Sequence, residues 1–266
     1  MNLIVLWLRS ALFNALFFTF TVLALLLSLP LLAIPTTVIA LWVARTWARG
    51  VFFLLRRVVG LRWELRGSRE ALRPGVLVAS KHQSAWDTIV FFLLLDRPTY
   101  VMKQELMRIP IYGWISRRQG HIAVDRKAGA TAIRRLLRAA KAAFEAGRAI
   151  VIFPQGTRTA PGTVAPYQPG IVGLYSALGV PVVPVALNSG LFWGRRSFIK
   201  RPGTIVIEVL PEIPPGRERT AFLGELEEQI EIATARLEAE ARAQFSSPTN
   251  RAIMTPTTGS APGSDR

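Results

Sequence analysis

A long uncharged segment near the N-terminus restricts the fold of this chain more than any other feature. No Asp, Glu, Lys or Arg occurs between Arg9 and Arg45, and the segment is rich in Leu, Phe, Val and Ala. It is far longer than the roughly 18 apolar residues that indicate a membrane helix. It is also too long for the apolar part of a cleavable signal peptide, and no small-residue cleavage site ends it. We therefore predict a membrane-embedded segment.

The shape and orientation of this segment follow from its prolines and its flanking charges. Pro30 and Pro35 divide it, so it can form either one tilted, kinked spanning helix or two shorter helices in a hairpin that dips into one leaflet. Only Arg9 and the α-amine precede it, whereas four arginines follow it closely. These are Arg45, Arg49, Arg56 and Arg57. The positive-inside rule predicts that the larger C-terminal part lies on the cytoplasmic side of the inner membrane.

The chain carries a formal net charge of +16. Such an excess is compatible with a nucleic-acid partner or with anionic lipid headgroups. Beside a membrane segment, Lys and Arg each contribute about 1 kcal/mol to attraction by an anionic membrane surface. The sequence has no zinc-ligand spacing and no aromatic-rich RNA-binding strand. We therefore predict membrane lipids as partners and no nucleic acid.

The rest of the chain alternates short apolar runs with amphipathic stretches, which predicts a largely α/β domain with its chemistry on loops at strand ends. We predict a membrane segment with a basic flank at 1–58, the globular domain at 59–245 and a disordered tail at 246–266. Strands are predicted at 75–79, 99–102, 120–124, 149–153, 181–187 and 204–210, and helices at 88–95, 111–117, 127–146 and 218–242.

The first candidate for chemistry lies at residues 81–87, with sequence KHQSAWD, directly after an apolar run. His82 is one of two histidines, and the chain has no cysteine to act as nucleophile. Histidine is the usual base near neutral pH, and an Asp at its second ring nitrogen fixes the tautomer and stabilises the imidazolium. The pair fits best if His82 lies in a strand-to-helix loop and Asp87 in the first helical turn.

Three further blocks follow. Residues 120–126, GHIAVDR, end in Arg126, which can bind an anion or remain solvated behind a helix capped by Asp125. Residues 153–159, FPQGTRT, offer backbone N–H groups, hydroxyls and a guanidinium that suit a phosphate. Residues 180–185, VPVVPV, are expected to form a wall. His121, next to a strand, is expected to be packed.

In this order and spacing, the blocks at 75–190 resemble those of the glycerolipid acyltransferase family, in particular the bacterial 1-acyl-glycerol-3-phosphate acyltransferases. The resemblance implies a single acyltransferase domain with a mixed sheet flanked by helices. It also implies that His82 is the general base and that Asp87 orients it. The residues implied to bind the acceptor phosphate or to shape its loop are Arg126, Arg158, Lys103, Gly156 and Thr157.

One position departs from the family pattern. The family usually has Glu where this chain has Gln155. An amide can hydrogen-bond a hydroxyl but carries no charge, so we expect this position to bear on which acceptor is used.

The reaction implied by the resemblance is direct acyl transfer to the sn-2 hydroxyl of lysophosphatidic acid, giving phosphatidic acid for phospholipid biosynthesis. The donor is acyl-CoA or acyl-carrier protein, with no further cofactor and no metal. Two alternatives stay open at this point. The chain can acylate another lysolipid, such as lyso-ornithine lipid, or it can be a non-catalytic, membrane-anchored lipid-binding protein.

Overall fold

The computed structural model describes residues 2–34, 36–125 and 128–246. Its α-helices are α1 (Leu3–Ala33), α2 (Thr37–Leu54), α3 (Trp86–Leu94), α4 (Tyr112–Arg118), α5 (Gly129–Glu145), α6 (Gly170–Leu178) and α7 (Arg219–Ser246). Its strands are β1 (Leu61–Gly67), β2 (Leu77–Ser80), β3 (Pro98–Lys103), β4 (Ile122–Val124), β5 (Ala149–Ile152), β6 (Val182–Leu187) and β7 (Gly203–Val209).

The strands form one seven-stranded sheet with the order β1-β7-β6-β2-β5-β3-β4. Every neighbouring pair is parallel except β6 and β7, which are antiparallel. The predicted mixed sheet flanked by helices is therefore confirmed. Strands β2, β5 and β6 are buried along their whole length, which explains why they appear in the sequence as continuous apolar runs.

The two faces of the sheet build two separate cores. Successive strand residues point to opposite faces, so Val78 packs against the N-terminal helices and α3, while Leu77 and Ala79 pack against α5, α6 and α7. The N-terminal helices and the C-terminal helix thus cover opposite sides of the domain.

The N-terminal segment forms two helices, as in the hairpin alternative, and the dipping of this hairpin into one leaflet stays a prediction. Helix α1 ends at Ala33 and α2 begins at Thr37, while Pro30 lies inside α1. The helices pack on each other, and Trp47 Nε1 donates a hydrogen bond to Thr21 Oγ1 at 3.1 Å. By length and composition, Leu3–Leu31 and Thr37–Val59 are each able to cross a membrane.

The sequence did not predict strand β1 or helix α6. Strand β1 pairs only with β7, at the sheet edge, and carries three charged residues, so it lacks the apolar run that marks the central strands. Helix α6 is nine residues long and contains two glycines, which conceal its periodicity. Arg126 lies outside the described residues, as does the tail predicted at 246–266 except for Ser246, which ends α7. The predicted domain boundaries stay predictions.

Candidate active site

The carboxyl ends of the central parallel strands bring distant loops together at one edge of the sheet. His82 follows β2, and Asp87 lies in the first turn of α3. The loop at 153–159 follows β5, the immediate neighbour of β2, and Ser189 follows β6 on the other side. This is the edge where parallel α/β sheets place their ligands.

His82 and Asp87 form a directly hydrogen-bonded pair. The Nδ1 atom of His82 lies 2.9 Å from Oδ2 of Asp87. The same oxygen accepts hydrogen bonds from the backbone N–H groups of Gln83 at 2.7 Å and Ser84 at 2.8 Å. Ser189 Oγ donates to Oδ1 at 2.5 Å. Because the carboxylate only accepts, Nδ1 carries the proton of a neutral His82, and Nε2 keeps a lone pair for a substrate proton.

Two sets of contacts hold His82 in place, one to the face of its ring and one to its backbone carbonyl. It stacks on Phe153, with ring centroids 4.1 Å apart and planes 21° from parallel. The His82 carbonyl accepts hydrogen bonds from the backbone N–H of Thr159 at 2.8 Å and from its hydroxyl at 3.2 Å. The side chain is 13% exposed. The ring is therefore fixed in orientation while part of it still reaches open space.

That space is a cavity of about 510 Å³, the size expected for a lipid-like or drug-sized ligand. One part of its wall is apolar and comes from the two N-terminal helices. These residues are Thr21, Ala24, Leu25, Val43, Ala44 and Trp47. Another part is cationic and is formed by Lys103, Arg158, Arg195 and Arg196. The cavity thus combines an apolar compartment, a candidate base and a set of positive charges.

Four of the predicted phosphate-site residues line this cavity together with His82. They are Lys103, Gly156, Thr157 and Arg158. Gly156 has a φ of 68°, a left-handed conformation that glycine adopts without strain and that turns the loop back toward the cavity. The structure does not describe Arg126, so its predicted role stays a prediction.

Gln155 does not line the cavity. Its side chain points to α7, where Nε2 donates to Glu231 Oε1 at 3.1 Å. Glu231 also accepts from Lys81 Nζ at 2.5 Å and from the Tyr167 hydroxyl at 3.0 Å. Gln155 therefore links the loop at 153–159 to helix α7 on the side away from the cavity. Its amide does not face a substrate that occupies the cavity.

The carboxylates of α7 were missed by the sequence interpretation, which assigned this helix to packing alone. Gln83 Nε2 donates to Glu238 Oε1 at 2.6 Å, and Gln83 Oε1 accepts from the backbone N–H of Gly190 at 3.0 Å. Glu231 and Glu238 are seven residues apart, which places them on one face of a helix. That spacing was the available signal, and together the two residues hold both neighbours of His82 in the chain.

The second histidine, His121, is packed as expected. Its Nδ1 accepts a hydrogen bond from the backbone N–H of Tyr100 at 3.3 Å. Burial, together with the nearby charge of Arg148, lowers the pKa of His121 to about 3. The ring is therefore neutral near pH 7, and its Nδ1 lone pair is already engaged.

Comparison with known proteins agrees with this geometry. Residues 62–188 match the acyltransferase family. The chain is 31% identical to a 1-acyl-sn-glycerol-3-phosphate acyltransferase of Pseudomonas aeruginosa, over 75% of this chain and 77% of that protein. It is 30% identical to the human 1-acyl-sn-glycerol-3-phosphate acyltransferase beta, over 58% of this chain and 57% of that one.

A solved structure shares the fold. The acyltransferase PlsC of Thermotoga maritima superposes with a TM-score of 0.70 at 18% identity, covering 87% of this chain and 98% of that one. The fold is that of an α/β acyltransferase, and the family match and the relatives identify an enzyme that transfers acyl groups. The chain belongs to the glycerolipid acyltransferase family.

Proposed function

We propose that this enzyme moves an acyl chain from a thioester donor to the sn-2 hydroxyl of lysophosphatidic acid, giving phosphatidic acid for phospholipid biosynthesis. The observation that carries the proposal is the His82–Asp87 pair, which faces a cavity with both an apolar and a cationic wall. The names of the relatives from Pseudomonas aeruginosa and human point to the same acceptor.

In the proposed reaction, Nε2 of His82 accepts the hydroxyl proton as the acceptor oxygen attacks the thioester carbonyl. The tetrahedral intermediate collapses when the carbon–sulfur bond breaks, and the thiolate takes the proton from Nε2. The new ester bond and the free thiol are the products. Asp87 stabilises the imidazolium between these steps, because its carboxylate lies 2.9 Å from Nδ1.

Charge and loop geometry support a phosphate-bearing acceptor. Lys103 and Arg158 line the cavity that contains His82, and a guanidinium matches the oxygens of a phosphate with two parallel hydrogen bonds. Gly156 and Thr157 form the turn that carries Arg158. Arg126, which follows strand β4 in the sequence, is proposed to act with them.

The two N-terminal helices support a membrane location for the reaction. Large apolar side chains on both are exposed, including Leu27 at 77% and Val38 at 76%. We propose that α1 and α2 are embedded in the inner membrane, with the sheet domain on the cytoplasmic side. Since residues from both helices line the cavity, the acyl chain of a lipid can pass from the bilayer into the apolar compartment.

The test is a panel of purified lysolipids offered to the full-length enzyme with acyl-CoA and with acyl-carrier protein. Phosphatidic acid formation with at least one donor is expected, and a change of His82→Ala should lower kcat by about 10²–10⁴-fold. Arg134→Ala, at an exposed position on α5, serves as a control. Near wild-type acylation by the His82 variant would overturn the mechanism. Faster acylation of a lysolipid without a phosphate monoester than of lysophosphatidic acid would overturn the assignment of the acceptor.

A further inference from the structure

Two arginines of the cavity wall lie outside every block that the sequence singled out. Arg195 and Arg196 follow Gly194 in the connection between β6 and β7, beyond the residues 62–188 that match the family. Both are exposed, and both line the cavity that contains His82. Arg195 Nη1 donates to the backbone carbonyl of Arg158 at 3.4 Å. The two loops therefore meet, and three guanidinium groups share one part of the wall.

Within the described part of the chain, none of the three arginines forms an ion pair with a carboxylate within 4.0 Å. Burial lowers the pKa of Arg158, and the charges of Arg195 and Arg196 lower it further, while the carboxylate of Asp87 partly offsets them. Like charges that are gathered in this way destabilise each other until an anion binds among them.

The backbone at Arg196 is strained in the same place. Its φ is 57°, in the left-handed region that costs an L-residue with a side chain conformational energy. Glycine would relieve this strain, yet the position holds a long cationic side chain. The strained conformation thus lies at a charged residue of the cavity wall and comes at the expense of local stability.

Helix α1 holds this loop. Ser10 Oγ accepts a hydrogen bond from the backbone N–H of Lys200 at 3.0 Å, and Asn14 Nδ2 donates to the carbonyl of Phe198 at 3.1 Å. The arginines are thus fixed next to the helix that we propose lies in the membrane. A lipid acceptor resides in that membrane, whereas a donor arrives from water.

We propose that Arg195 and Arg196 join Arg158 in a binding site for a phosphate group, and that this group is the phosphate monoester of the lipid acceptor. The inference rests on the proposed function for the identity of the acceptor. It assigns acceptor recognition to a loop that contributes no atom to the bond-making step, so its effect is expected on binding and not on turnover.

The first experiment compares a double variant, Arg195→Ala with Arg196→Ala, with the wild type in steady-state assays. Loss of two charged hydrogen-bond donors should raise KM for lysophosphatidic acid about 10–100-fold and leave kcat within about threefold. The matched control removes two exposed arginines of α5, Arg134→Ala with Arg135→Ala, and should leave KM unchanged. An increase confined to KM for the acyl donor would assign the site to donor phosphates and overturn the proposal, as would no increase in either KM.

The second experiment uses Arg196→Gly. If Arg196 is retained for phosphate binding, this variant should be at least as resistant to thermal inactivation as the wild type, while KM for the acceptor rises. A variant that loses stability, with KM unchanged, would show a purely structural role and overturn the proposal.

Binding assays separate this proposal from the catalytic one. Lysophosphatidic acid binding is measured on protein carrying His82→Ala, with and without the two Arg→Ala changes. Weaker binding in the triple variant supports the phosphate site whatever the outcome of the turnover assays, and equal binding overturns it.

Discussion

The Oδ2 atom of Asp87 lies 2.9 Å from Nδ1 of His82 and accepts hydrogen bonds from the backbone N–H groups of Gln83 and Ser84 in the same loop. One oxygen therefore fixes both the loop and the tautomer of the ring. This explains how two side chains five residues apart meet: the chain turns through the loop, and the first turn of α3 directs the carboxylate back toward the histidine.

We predict that Asp87→Asn lowers kcat by about 10²–10⁴-fold, because a neutral amide no longer supplies the negative charge that stabilises the His82 imidazolium. Ser189→Ala removes only the hydrogen bond at Oδ1, at a cost of about 1 kcal/mol, and should lower kcat by about fivefold. Steady-state kinetics with thermal inactivation of both variants provide the measurement. Equal effects of the two changes would contradict the assigned role of Oδ2.

The buried contact between Gln155 and Glu231 yields a prediction about charge. Gln155→Glu would place a second carboxylate against Glu231, with one ammonium group, that of Lys81, available to both. We expect a loss of stability of about 1–3 kcal/mol and lower activity. In the double variant with Glu231→Gln, the contact again pairs one carboxylate with one amide, with their positions exchanged. This variant should regain most of the lost stability. Thermal inactivation of the two single variants and the double variant measures the coupling, and additive effects would contradict it.

The apolar cavity wall predicts a chain-length effect. Ala24→Phe would fill part of the compartment that we assign to the acyl chain of the lipid acceptor. Each methylene excluded from an apolar site costs about 0.8 kcal/mol, so kcat/KM should fall roughly fourfold for every methylene that no longer fits. Lysophosphatidic acids with long acyl chains should therefore lose more activity than those with short chains in a series from eight to eighteen carbons. Leu23→Phe, at an exposed position outside the cavity wall, is the control and should leave the series unchanged.

The lowered pKa of His121 predicts a pH dependence of stability. Its pKa is about 3 in the folded protein and 6.5 as a reference, so the unfolded chain binds the proton more readily between these values. Stability should fall as the pH drops below 6.5, by on the order of 1 to 2 kcal/mol at pH 5. His121→Phe removes this contribution. Thermal inactivation between pH 7 and pH 5 should show a shallower decline in the variant, and parallel curves would refute the assignment.

Much of the site could be predicted from the sequence because its parts are local. The pairing of His82 with Asp87 depends on a strand, a short loop and one helical turn, and the turn at 153–159 is short and carries its own Pro and Gly. The sequence singled out Gln155 as a position that bears on the acceptor, and it did not predict the contact of this residue with Glu231. Glu231 lies on the last helix of the described chain, and no local pattern connects it to residue 155.

The sequence by itself determined the long apolar N-terminal segment, the alternation of strands and helices, and the pairing of His82 with Asp87, because hydrophobic periodicity and short-range backbone geometry fix these features. Only the tertiary structure decided which distant groups surround that pair. Neighbouring strands of the sheet come from separate parts of the chain, and the packing of α1 and α7 on opposite faces brings the residues of both to one edge. Contacts such as that of Arg195 with Arg158 depend on this arrangement of distant segments, which no single segment of the sequence encodes.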